Sequence, residues 1–121
     1  MMRRLILLAL LATPAQAQID YLAPWSAYVG GAAVAARCGI VLGGPEAAQW
    51  LENIGLLANH ARKKMTDSGM TEAEINTAMD QRRAAITARA HEMTGQGCDT
   101  LIVTEQIRLH QTRGRGGLSA H

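Results

Sequence analysis

Glycine breaks at Gly43-Gly44, Gly69 and Gly95-Gln96-Gly97 cut this chain into stretches that are too long for strands and are patterned for helices. Between the breaks, apolar residues recur every three or four positions, and no stretch alternates apolar and polar as a half-buried strand does. Pro24 is placed to open a first helix running to about Leu42, and Pro45 opens a second to about Asp67. Thr71-Glu72-Ala73-Glu74 has capping-box spacing for a third helix to about Thr94, and Asp99 can cap a fourth to about Gln111. The sequence thus predicts an all-α fold, a small bundle of about four helices joined by short connections.

The first seventeen residues have a different character. Arg3 and Arg4 precede an unbroken apolar run from Leu5 to Ala12, Thr13-Pro14 interrupts it, and Ala15-Gln16-Ala17 has the small-x-small form cut by signal peptidase. The run is too short for a stable membrane anchor. A cleaved secretory signal is expected at 1–17, a helical domain over 18–111 and a disordered tail over 112–121, where glycine and arginine alternate. The expected location is the bacterial periplasm or the exterior. Lys and Arg number 12 against 10 Asp and Glu, so losing Arg3 and Arg4 leaves the two in balance. A neutral chain gains little from counterion release, which argues against a nucleic-acid partner.

Two cysteines, Cys38 and Cys98, remain in a compartment where thiols oxidise, and a disulfide between them is expected to staple the bundle. The first helix is apolar almost all round and built of small residues, with Gly31, Ala35 and Gly39 at four-residue spacing. This stripe suits the close approach of another backbone. Arg37 within the segment would cost about 2.5–3 kcal/mol at the centre of a membrane helix, so insertion is disfavoured. In the second helix Ala47, Trp50, Leu51, Ile54, Leu57, Ala58, Ala61 and Met65 make the apolar stripe, with Glu52, Asn53, Arg62 and Lys63 facing elsewhere. In the fourth, Leu101, Ile102, Val103, Ile107 and Leu109 cover more than half the circumference, which predicts deep burial. His110 falls inside that arc, as a core histidine satisfied by one partner or as the polar end of an internal cavity.

The third helix carries the strongest candidate site. With Ile75 as the reference direction, Met79, Ile86 and Met93 fall within about 40° of it. Arg82 lies inside that stripe and Arg89 on its edge. Arg83 has Asp80 one turn away and Arg89 has Glu92, but Arg82 has no acidic helical neighbour. Such a guanidinium either pairs with an acid on another helix, Glu105 or Glu52, or anchors an anion or carboxylate with Arg89 alongside. The candidate ligand-binding residues are therefore Arg82, Arg89 and His110.

Metal and cofactor sites are not expected: His60, His91, His110 and His121 form no i,i+4 pair, and no C-x-x-C-H or paired ligand motif occurs. Nucleophile elbows, zinc-protease motifs and phosphate loops are likewise missing, which argues against an enzyme. The expectation is an exported, non-catalytic helical binding or interaction protein, partner-binding or chaperone-like, whose partner is a protein or small ligand. Two alternatives stay open. One is a small-ligand or metal carrier using the bundle interior; the other is a component anchored in a membrane through the helix at 24–42. Tyr21, Trp25 and Tyr28 lie near the mature N-terminus, either as a contact patch or as the closure of one end of the core.

Overall fold

A computed structural model describes residues 19–115, and every regular element in it is a helix. They are α1 (Ala23–Arg37), α2 (Gly44–Asp67), α3 (Glu72–Thr94) and α4 (Leu101–Arg113). The expected signal segment at 1–17 lies outside the described residues, as does the tail from 116 onward.

Helix α1 is the hub. It packs against all three other helices, most extensively α3 and α4. Its first half joins Leu22 and Trp25 to Ala61 and Met65 of α2 and to Ile75 and Met79 of α3. Its second half sets Val34 against Ala90 of α3 and Val103 of α4. These pairings make α3 parallel to α1, with α2 and α4 antiparallel to it. Trp25 is buried in the first cluster and Tyr21 packs against it, so the N-terminal aromatics close one end of the core.

The hub is possible because its side chains are small. A Cβ on Gly31 would meet Gln106 O and His110 Cβ at 3.5 Å and Arg113 Nη1 at 3.3 Å, so α4 approaches closely here. Beyond α1, Cys38 and Cys98 form a disulfide with Cα atoms 5.9 Å apart, tying the end of α1 to the segment before α4. None of the described helices is long and apolar enough to cross a membrane.

Local signals account for the boundaries, with corrections. Thr71 and Glu74 complete the capping box at the start of α3, each side chain bonding the other's backbone N–H. Helix α1 stops at Arg37 rather than near Leu42, because Gly39 takes φ +73°. There Ile40 N–H reaches Ala35 O at 2.9 Å and Gly39 N–H reaches Ala36 O at 3.1 Å, a Schellman closure. Gly39 is therefore the stop, and only Gly31 and Ala35 of the small-residue series lie in the helix. Helix α4 is capped by Thr100, whose hydroxyl accepts from Val103 N–H, rather than by Asp99. It also runs two residues past the expected end. Thr112 and Arg113 are helical, and Gly114 is buried against Leu42 and Glu46, so the tail cannot begin at Thr112.

Burial also departs from expectation in two helices. Asn53 is fully buried, whereas Leu51 is 63% exposed. The covered line of α2 is Trp50, Asn53, Leu57 and Ala61, which has its own three- and four-residue spacing. Helix α4 is covered on one side only: Val103 and His110 are buried, while Leu101 and Ile102 are exposed. It meets α1 broadly and α3 only slightly, so much of its apolar arc has no neighbour.

Candidate functional site

Because α3 and α4 barely touch, a trough opens between them over the surface of α1. It encloses about 410 Å³. Ala23, Ala27, Gly30 and Val34 of α1 form its floor, Ile86, Ala90 and Met93 of α3 one wall, and Ile102 and Gln106 of α4 the other. The floor residues repeat at four, three and four positions and leave a smooth channel of roughly 16 Å at 1.5 Å per residue. Arg82 and Arg89, two helical turns apart on α3, both line it. A smaller hollow of about 280 Å³ continues past Arg89, Met93 and Ile102 towards Glu92 and Gln96.

The two arginines differ in their commitments. Arg82 Nη1 donates to Ser26 Oγ at 2.7 Å and Nη2 to Asp20 Oδ1 at 2.8 Å. Neither Glu105 nor Glu52 is its partner; Glu105 pairs with Arg108 instead. Asp20 Oδ1 also accepts from Leu22 N–H at 3.1 Å, so Arg82 clasps the segment entering α1. Arg82 thus closes one end of the trough as a neutralised pair. Arg89 is exposed and forms no ion pair among the described residues, whereas Arg83 does pair with Asp80 at 3.3 Å. The trough therefore holds one uncompensated positive charge above an apolar floor.

His110 lies elsewhere. Ala32 and Ala36 of α1, on the opposite face from the trough floor at about 100° per residue, line a second groove of about 270 Å³. Its other walls are Ile40, Val41 and Leu42 of the connection, Ala47, Trp50 and Leu51 of α2, and His110. The Trp50 and His110 rings meet edge to face, 5.4 Å between centroids. His110 is only 5% exposed, and its Nδ1 has no hydrogen-bond partner among the described residues, contrary to the expected satisfied core histidine. Trp50 Nε1 is in the same position. The structure thus places Arg82 and Arg89 along one trough and His110 in a separate groove.

No protein-family model matches the chain, and no curated protein or solved structure does. No group of three or more His, Cys, Asp or Glu among the described residues could hold a metal ion.

Protonation ties the sites to stability. Burial, with the Arg113 charge adding to it, pushes the His110 imidazole below its ordinary 6.5. The neutral ring's contribution is therefore complete above 6.5 and is lost as pH falls below it. The hydrogen bond from Arg82 holds the Asp20 carboxyl below its ordinary 3.8, so that contribution disappears only in stronger acid. Glu74 in the capping box and Glu105 beside Arg108 are also held low and act in the same direction below 4.5. Denaturant midpoints are expected to be flat above pH 6.5, to decline below it, and to decline again below 4.5. His110→Phe should flatten the upper decline and Asp20→Asn should reduce the lower one. An upper decline that is unchanged in His110→Phe would assign it to another group.

Proposed function

We propose that the mature chain is an exported, non-catalytic binding protein of the periplasm or the exterior, with the trough across α1, α3 and α4 as its docking surface. Its partner is an amphipathic helix of another protein that lays small and medium apolar side chains along the α1 floor and sets one acidic side chain against Arg89. The observation that carries this reading is the free Arg89 charge beside an apolar channel about three helical turns long. A channel between two helix ridges accepts a third helix through i, i+3, i+4 and i+7 anchors. Ile102, half-exposed on the α4 wall, extends the apolar area of the trough towards solvent. The disulfide supports the export half of the reading, since such bonds persist in oxidising compartments.

A charge-swap experiment tests the trough. Fluorescence anisotropy of a labelled Leu/Ala-rich helical peptide bearing one Glu is compared with the same peptide bearing Lys. The Glu peptide is expected to bind more tightly, and Arg89→Glu to weaken it by about fivefold, the scale of an exposed ion pair. The Lys peptide should recover affinity on Arg89→Glu. If the Glu and Lys peptides bind alike to both proteins, Arg89 does not select the partner and the reading fails.

A further inference from the structure

The floor of the trough has a gap at Gly30. Ala23, Ala27, Gly30 and Val34 all line it, and at 100° per residue their side-chain directions fall within an arc of about 60° on α1. The missing side chain of Gly30 therefore points the same way as its neighbours, into the trough. A Cβ there would meet nothing within 4 Å beyond its own stretch of helix. Gly31 differs, because its Cβ would press on α4. Gly30 also sits within the regular helix and has no positive φ that would call for glycine. Neither packing nor backbone geometry thus requires Gly30, although an interior glycine leaves a helix less stable than alanine would.

The pairing of α1 with α3 fixes the level of the gap. Arg82 bonds Ser26, and Ala90 clusters with Val34, so along this parallel pair each residue of α1 faces the one 56 positions on. Gly30 accordingly lies level with Ile86, and Arg89 stands three residues, about 4.5 Å, further along. The gap thus occupies the apolar middle of the trough, about one helical turn from the unpaired charge. A docked helix can fill such a gap with one inward side chain, as a knob enters a hole in a facing helix. An aliphatic side chain suits it, since Ala27, Val34 and Ile86 beside it are apolar. We propose that Gly30 selects the docked helix: the partner seats a leucine-sized side chain in the gap, one turn from the acid that meets Arg89. This inference rests on the helix-docking reading and adds to it a requirement for size at a stated spacing.

Two labelled alanine-rich helical peptides, each with one Glu, test this by fluorescence anisotropy. One carries Leu both four residues before and four after the Glu, so that either direction of docking presents one; the other carries Ala at both places. Each is titrated into the oxidised wild-type protein, Gly30→Ala and Gly55→Ala. Gly55 is interior to α2, with equally open space around it, on a helix that contributes nothing to the trough, so its variant is the control. Wild type should bind the Leu peptide about tenfold more tightly than the Ala peptide. Gly30→Ala should cut that preference to about twofold by overfilling the gap, and Gly55→Ala should leave it intact. Both variants should melt about 4 °C higher than wild type. A gain in stability joined to a loss of binding is a result that a merely structural glycine does not give. An unchanged preference in Gly30→Ala, equal binding of the two peptides to wild type, or a lowered melting temperature in Gly30→Ala would each overturn the proposal. The Arg89 charge swap separates the two readings. If Glu is still preferred over Lys, such a result removes only the role of Gly30; if that preference is also missing, both fall.

Discussion

Replacing Cys38 and Cys98 with serine should lower stability by about 4 kcal/mol, the chain-entropy value for a loop of this length. The bond spans a sequence separation of 60 and encloses both α2 and α3, so its loss frees most of the unfolded chain. At about 4–8 °C per kcal/mol for a domain of this size, the melting temperature should fall by roughly 15–30 °C. Thermal melts of the oxidised protein and the double serine variant measure this directly. A difference below about 1 kcal/mol would mean that the reduced, unfolded chain already holds α1 near α4. The native contacts leave reason for a large effect. Arg37 Nε donates to Thr94 Oγ1 at 2.7 Å, but this is a single exposed bond, and the buried cluster at that end of α1 is small, centred on Val34, Ala90 and Val103.

The second large effect belongs to Asn53. Its Nδ2 donates to Arg113 O at 3.1 Å, and its Oδ1 accepts from Gln49 Nε2 at 3.0 Å, at a site with no solvent exposure. Arg113 is the last residue of α4, so its carbonyl has no partner within the helix. Asn53 thus caps one helix from the middle of another. Asn53→Leu keeps the approximate volume but leaves that part-buried carbonyl without the cap. The expected cost is about 2–3 kcal/mol, the upper range for an unsatisfied buried acceptor. Gln49→Ala leaves the Arg113 carbonyl capped and removes a half-exposed side chain, so it should cost less than Asn53→Leu. Urea denaturation of the two variants decides the point, and equal losses would move the role from the cap to general packing.

What could be read from the residues divides by range. Signals confined to one turn were legible: the glycine breaks, the Thr71 box, the Pro45 start and the four-helix outline. The cysteine pair was legible because only two thiols were available to meet. Gly39 was misplaced because a small residue serves equally as a packing surface inside a helix and as a left-handed stop beyond it. Only the bonds from Gly39 and Ile40 to Ala36 and Ala35 distinguish the two. Asn53 sat on a covered line with Trp50, Leu57 and Ala61, and its polarity hid the periodicity it shared with them.

The rest depended on neighbours that no single helix specifies. The apolar arc of α4 was visible, but whether an arc is covered depends on how many helices surround it, and α4 has one broad contact. Arg82 lies within the apolar stripe of α3, yet its side chain stays about one-third exposed and reaches out to a partner. Its acid, expected on another helix, is Asp20 in the segment before α1. The seven-residue spacing that sets Arg82 and Arg89 on one face was legible; the trough beneath them exists only because α3 and α4 stand apart. His110 and Trp50 are 60 positions apart in the chain, and their meeting is purely tertiary.

The central position of α1 has a consequence for the order in which the molecule can assemble. The helix made first is the one that all later helices need. Yet one of its closest fastenings, Arg113 to Ala27 O, joins residues 86 positions apart. Local helix formation brings little reward until that long loop closes, and folding slows as the separation of contacting residues grows. A nascent chain that has released only α1 to α3 holds the Leu22–Met79 cluster but lacks Val103 to cover Val34 and Ala90. The core is therefore complete only once α4 has joined α1 and α3, even if the first three helices have already paired.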